Sequence, residues 1–276
     1  VPNLLHLGGL ARDRAVEANK LVHKPSAFAY PQLVLGMVAI FVYVGVEVST
    51  ISNLPAYLEE DLGIPTSQLA PYVSLYWASM MIGRWAGAAG AFTVGTSTRR
   101  MLTILLPYLA FGVYLAVNAI ADHDVSRFFG YSLVILTMIA ATFASGGNPA
   151  RMLLYFALCG ITATLIGMAT SGTASVVAFI SVGLFCSVMW PCIFALAITG
   201  LGRNTNQGSS LLIMMIMGGG IISWLQGWLA DLTSIHFSFI VGVACFAYLA
   251  FYALRAPVIL RKQGIDLDQL ASGSGH

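Results

Sequence analysis

Two charged side chains sit where a lipid bilayer would leave them no water. Glu47 occurs in YVGVEVST and Arg84 in YWASMMIGRWAGAAG, each inside a long apolar stretch of the 276-residue chain. An ionised group near a bilayer centre costs about 2.5–3.5 kcal/mol on insertion scales, so each one needs a compensating environment. At the helical rise Glu47 lies about 15 Å from the outer end of its stretch, close to the midplane. Arg84 lies about 12 Å from the inner end of the next stretch. Tyr43 and Thr50, four residues before Glu47 and three after, share its helical face and form a polar stripe. Such a stripe suits a water-filled cavity in which a carboxylate binds a hydroxylated substrate or takes part in cation coupling. The alternative is a structural carboxylate, protonated or paired with Arg84, whose depth differs by only about 7 Å.

Other candidates surround this pair. Gly83, Gly87 and Gly90 recur around Arg84 with small alanines, a pattern that lets helices approach closely, so Arg84 has a structural or gating reading beside one of direct substrate contact. Tyr76 and Trp77, upstream on the same helix, offer rings at cavity depth that suit the apolar face of a pyranose; core packing or lipid contact is the plainer reading. Pro191, in SVMWPCIFAL, lacks an amide hydrogen and is predicted to kink its helix. Discontinuous helices are typical of transporter sites, which makes Trp190 a candidate cavity wall. Gly218, Gly219 and Gly220 permit bending or close contact. Gln226 and Asn53 are each read either as a substrate contact or as an interhelical hydrogen bond. Cys159, Cys186, Cys192 and Cys245 all fall in apolar stretches and read as small core residues, with no metal-ligand spacing. No HExxH, no phosphate-cradling loop and no serine with a nearby base occurs, so neither an enzyme nor a cofactor is expected.

The elements that must position these residues follow from composition. Hydrophobic residues make up 58% of the chain and charged ones 9%, against about 25% charged in a soluble domain. That excludes a soluble fold. Eight apolar stretches, 33–57, 69–92, 101–121, 129–146, 150–171, 173–199, 209–230 and 235–256, are each long enough for a spanning helix and too long for barrel strands. The expected fold is an all-α, multi-pass membrane protein in a lipid bilayer. The short link at 171–173 makes its two flanking stretches an antiparallel hairpin. Alternation in direction puts Arg127 alone on one side and Arg84 within a helix, while all the other basic residues fall on the opposite side. That bias places both termini in the cytoplasm. The net charge of +2 gives no footprint for nucleic acid. Residues 1–31 read as a cytoplasmic linker or amphipathic segment, 32–256 as the membrane domain and 257–276 as a cytoplasmic tail ending in the tag-like ASGSGH. A first residue of Val1 suggests a fragment.

Four segments, YVGVEVS, YWASMMIGRWAG, GLFCSVMWPCIFALAITGLG and QGSSLLIMMIMGGGIISWLQGWLAD, resemble in this order the C-terminal half of the fucose/glucose/galactose permeases, sugar symporters of the major facilitator superfamily. The resemblance implies a twelve-helix protein of two six-helix halves in the plasma membrane, the inner membrane in a bacterium. It further implies alternating access and symport of a monosaccharide with a proton, or with sodium in some relatives. By position Glu47 matches the acidic residue in the first helix of this half, and Arg84 matches the GR motif of the next. Asn53, Tyr76, Trp77, Trp190 and Gln226 fall on helices that line the central cavity of such proteins. The family pattern has phenylalanine, proline and threonine where this chain has Trp190, Pro191 and Cys192, and proline at Ser223. A C-terminal half has six spans, so the surplus, 101–146, reads as an inserted helical hairpin. It is expected at the periphery, where it would serve a dimer contact or a protein partner. The N-terminal half, with the rest of the sugar site, is missing from the chain. The alternative expectation is a transporter-derived scaffold or receptor subunit that binds a partner through the hairpin without transport.

Overall fold

The computed structural model describes residues 26–88 and 95–267, and every regular element among them is helical. The segment 1–25, the tail from 268 and the end of the second predicted stretch, with Gly90, lie outside the described residues. The helices are α1 (Pro31–Glu60), α2 (Ala70–Ala88), α3 (Thr96–Ile120), α4 (Tyr131–Ser145), α5 (Pro149–Ala169), α6 (Gly172–Cys186), α7 (Met189–Ile198), α8 (Thr205–Met214), α9 (Gly218–Leu232), the short α10 (Ile235–Ser238) and α11 (Ile240–Lys262).

Seven stretches among the described residues are long and apolar enough to cross a membrane: Pro31–Glu60, Ser97–Ile120, Ser126–Ser145, Pro149–Ala169, Gly172–Ile198, Gly202–Leu232 and Ile235–Lys262. The predicted stretch 69–92 is not one of them. Its described part is α2, where Arg84, two serines, two tyrosines and two tryptophans dilute the aliphatic residues. The helix nevertheless runs the length of the bundle. Tyr72 near its start packs edge-on against Phe128, and Arg84 and Gly87 near its end line a cavity with Gly147 and Pro149 of the opposite end.

Local chemistry sets the ends of these helices. Asn148 caps α5 by accepting from the amides of Ala150 and Arg151, and Pro149 occupies the first helical position, where a missing N–H costs nothing. Gly146 and Gly147, at φ of 59° and 79°, make the reversal between α4 and α5 that few other residues would adopt. Thr170 and Ser171 alone separate α5 from α6, so these two pack as an antiparallel hairpin.

The interruption expected at Pro191 falls a turn earlier. Ser187 and Val188 separate α6 from α7, and Pro191 lies in the first turn of α7. A proline ring clashes with the carbonyl four residues before it, here that of Ser187, so the helix breaks there and the proline becomes an acceptable first-turn residue. The triple glycine marks a second irregularity, because a 3-10 turn over Met215–Met217 precedes Gly218 and α9.

Close approach of backbones fixes the centre of the bundle. A Cβ on Gly218 would overlap the carbonyl oxygen of Phe41 and stand 2.7 Å from its carbonyl carbon, so α1 and α9 touch main chain to main chain. A Cβ on Gly83 would overlap Ser187 Oγ, which locks α2 onto the helix break. The span Gly172–Ile198 is the hub, with 83% of its most apolar stretch buried. The pair α3 and α4 lies outside it, and the figure for Ser97–Ile120 is 33%. This pair is held to α2 by a hydrogen bond between Tyr131 Oη and Ser79 Oγ (2.8 Å) and by donation from Tyr114 Oη to the Pro71 carbonyl (3.0 Å).

Candidate functional site

Three helices converge on Glu47, which is half-buried at the middle of α1. From α2, Tyr76 donates its hydroxyl to the Glu47 backbone carbonyl at 2.7 Å. From the preceding turn of α1, the Tyr43 side chain interacts with the Glu47 carboxylate. From α7, Trp190 meets the Tyr43 ring edge-on, with centroids 6.1 Å apart. Trp77 stands perpendicular to Tyr76 at 5.9 Å and is 50% exposed. Tyr43 and Tyr76 are themselves buried, at 1% and 0%. Two buried phenols therefore meet Glu47, one at its carboxylate and one at its backbone carbonyl, and each carries a partly exposed indole against its ring. Gly183 makes room for Tyr76, whose carbonyl oxygen would lie 2.9 Å from any Cβ there.

The other predicted residues separate into different places. Arg84 is exposed, and no salt bridge joins it to Glu47 among the described residues, although the two charges interact at longer range. It lines a cavity of about 320 Å³ with Gly87, Pro149, Ser187 and Pro191, beside the break between α6 and α7. Gly218 is the close-contact glycine described above. Gly219 faces the valines of α1, and a Cβ placed on it would stand 3.1 Å from Val48 Cγ2. Asn53 is half-buried and bonds within its own helix, donating to the Ser49 carbonyl at 2.8 Å. Gln226 does not join the group. It is 1% exposed and its amide donates to Ser238 Oγ at 3.4 Å, which ties α9 to α10.

Two features escaped the sequence reading. Ser49 Oγ and Ser223 Oγ are buried without a hydrogen-bond partner among the described residues, on α1 and α9. A buried hydroxyl left without a partner costs about 1–3 kcal/mol. Ser49 lies two residues beyond Glu47 and so on a different face of α1 from the stripe of Tyr43, Glu47 and Thr50, which gave no sign of it. The second feature is a clamp at the end predicted to face outward. Tyr57 donates to Ser175 Oγ (2.7 Å), Ser175 donates to the Gly167 carbonyl (2.7 Å), and His236 Nε2 lies 2.9 Å from that same carbonyl. Asp61 Oδ2 stands 3.7 Å from His236 Nδ1. No spacing announces this cluster, because Tyr57 and Ser175 are 118 positions apart.

The arrangement is that of a multi-pass helical membrane protein with a half-buried carboxylate at mid-helix, contacted by two tyrosines that in turn pack against tryptophans. Relatives give it a narrower place. The chain is 34% identical over 231 residues to a glucose/galactose transporter of Brucella abortus, covering 83% of this chain and 43% of that protein. It is 28% identical over 248 residues to a putative glucose/galactose transporter of Helicobacter pylori, covering 88% and 48%. To an L-fucose-proton symporter of Haemophilus influenzae it is 28% identical over 272 residues, covering 92% and 59%. No family model and no solved structure matches the chain. The chain belongs to the fucose/glucose/galactose permease family, and it spans about half the length of the curated relatives it matches.

Proposed function

We propose that this chain is the C-terminal half of a secondary transporter that carries a monosaccharide of the glucose, galactose or fucose type together with a proton, by alternating access, across a bacterial inner membrane. In this reading α2 makes an eighth pass and both termini are cytoplasmic. The helices α3 and α4 form a peripheral insertion on a six-span half. A facing N-terminal half supplies the opposite wall of the site, and the greater length of the relatives leaves room for it.

The observation that carries the reading is the placement of Glu47. A lone carboxylate at mid-span is costly unless it can be protonated or reach water, and here it is half-buried beside Tyr43 without a salt-bridge partner among the described residues. Such a group exchanges a proton each time its side of the cavity opens. Protonated, it is neutral and offers a donor to a sugar hydroxyl; ionised, it accepts. Tyr76 holds the backbone at that residue, and Trp77 and Trp190 provide ring surfaces for a pyranose. Among the described residues no group of three or more His, Cys, Asp or Glu side chains could hold a metal ion. One carboxylate and one phenol suit a proton better than sodium, which needs several oxygen ligands. Nothing in the arrangement favours the scaffold alternative.

The test is uptake of labelled glucose, galactose and fucose by the full-length protein, comparing the wild type with Glu47→Gln at several external pH values. The expected result is loss of accumulation against a gradient, with exchange of sugar retained. Normal accumulation and unchanged proton dependence in the variant would remove Glu47 from coupling, and sodium-driven uptake would replace the proton.

A further inference from the structure

We propose that the connection between α3 and α4 builds a second carbohydrate-binding site at the outer end of the protein, apart from the central one. This inference rests on the sugar-transport reading above for the orientation and for the class of ligand.

The site is a cavity of about 300 Å³ between that connection and the start of α2. Small-molecule pockets span about 300–1,000 Å³, so it is of a size for a single sugar ring rather than a chain of them. Asp122, His123, Asp124 and Arg127 line it from the insertion, and Gln68 and Tyr72 from the segment that opens α2. In the reading proposed above 101–146 is an insertion on the six-span half, which would set this cavity apart from the central site.

Its chemistry selects the ligand. Two carboxylates and one guanidinium nearly balance, which disfavours a strongly charged ligand of either sign. No group of His, Cys, Asp and Glu here or elsewhere among the described residues is arranged to hold a metal ion. What remains is a mixed set of donors and acceptors beside an aromatic ring, which suits a neutral polyhydroxylated molecule with one apolar face.

The groups are positioned before any ligand arrives. Asp124 Oδ1 accepts from the Ser126 amide (3.0 Å) and hydroxyl (2.6 Å), and its Oδ2 lies 3.5 Å from Arg127 Nε. Arg127 in turn interacts with the Tyr72 hydroxyl. Phe128 is buried beneath, with Tyr72 and Tyr114 edge-on to it at 5.2 and 5.9 Å. The ring of Tyr72 is thereby held at the cavity wall. Asp122 has φ of 57°, the single non-glycine positive φ among the described residues, and its amide donates to the Ala119 carbonyl at 3.2 Å. Tyr72 is one helical turn before Tyr76, so a sugar held here stands at the head of the helix that braces Glu47.

The experiment measures equilibrium binding of D-glucose, D-galactose and L-fucose to the full-length protein in lipid nanodiscs, with stoichiometry as the readout. The variants are Glu47→Gln, and Asp122→Asn combined with Gln68→Ala; the latter two positions are exposed, and asparagine tolerates a positive φ. The wild type is expected to bind two sugars per protein. The outer variant should weaken one of them by about tenfold or more, the loss of a charge-assisted hydrogen bond, and leave the other unchanged. Glu47→Gln should act only on that other one. One sugar per wild-type protein, or two in the outer variant with affinities unaltered, overturns the outer site while the central reading stands. Absence of any sugar binding overturns the sugar reading itself and this inference with it.

Discussion

The hub span Gly172–Ile198 and the outlying pair α3–α4 are both apolar along their length, yet the protein uses them in opposite ways. The hub buries most of its surface against α1, α2 and α5, whereas Ser97–Ile120 leaves Met101, Leu105, Leu109 and Val117 more than half exposed. Apolarity carries a helix into lipid but does not by itself join it to another helix, because lipid chains are as apolar as leucine. Joining is done by small residues and by hydrogen bonds. In the hub those are Gly183 against Tyr76 and Ser187 against Gly83. In the α3–α4 pair no neighbouring element comes within 4 Å of a Cβ built on Gly112 or Gly130.

Substitution of glycine by alanine breaks this comparison most directly. Gly218→Ala sets a methyl group into the Phe41 carbonyl, and Gly83→Ala sets one 2.5 Å from Ser187 Cβ. Overpacking of this kind costs about 1–3 kcal/mol or more, which exceeds the roughly 1 kcal/mol that alanine gains in helix propensity. Both variants are expected to unfold earlier in detergent, Gly218→Ala the more so because its obstacle is backbone. Gly112→Ala and Gly220→Ala meet open space and should be neutral or more stable by about 0.5–1 kcal/mol. Equal loss at Gly112 and Gly218 in thermal unfolding would show that the α3–α4 pair is packed as tightly as the hub.

A smaller effect separates two tyrosines. Tyr76→Phe removes donation to the Glu47 carbonyl, and Tyr131→Phe removes the bond to Ser79, each worth about 0.5–1.5 kcal/mol. Stability should fall by a similar amount in both. Only Tyr76→Phe is expected to alter the pH profile of sugar uptake, since only it touches the residue that carries the proposed proton. A Tyr131→Phe variant with the larger shift in pH profile would move the proposed coupling function toward the α3–α4 pair.

The clamp at the outer end gives a still smaller test. A carbonyl only accepts, so His236 Nε2 must donate to Gly167 and the Nδ1 edge faces Asp61. Both side chains are about a third exposed, and such pairs contribute about 0–1 kcal/mol. Asp61→Asn is expected to lower thermal stability by no more than this and to speed amide exchange at the ends of α1 and α10. A loss of several kcal/mol would mean that the clamp holds the bundle together.

Several of these features were legible in the residues themselves. The mid-helix position of Glu47, the nearness of Tyr43 to it, the hairpin at 171–173 and the disturbance near Pro191 all follow from local chemistry, which spacing along one chain expresses. The partners of Gln226 and Tyr76 do not, although an interhelical hydrogen bond is one of the two readings of Gln226. Each depends on which neighbour a helix meets, Ser238 in one case and the Glu47 carbonyl in the other, and one chain's periodicity is silent about rotation between helices. The second predicted stretch illustrates the same limit. Its aromatic and polar residues make α2 less apolar than its neighbours, because it spends its surface on protein contacts.

Within the α3–α4 pair the finest test concerns the loop that lines the proposed second cavity. Asp124 is held below the ordinary carboxylate range, first by the hydroxyl and then by the amide of Ser126, with Arg127 adding to the effect. Because the folded-state value is depressed, the loop's gain from this carboxylate is present above the unfolded value of about 3.9 and is lost as pH falls through the lower folded one. Ser126→Ala removes the hydroxyl donor and should return the Asp124 titration, followed by carboxyl NMR shifts, toward the ordinary range, while global unfolding stays unchanged. The side chain is exposed, so only the order of the loop should respond. If the titration stays fully depressed in Ser126→Ala, the backbone amide that alanine keeps, together with Arg127, holds this carboxylate, and removal of Arg127 separates those two contributions.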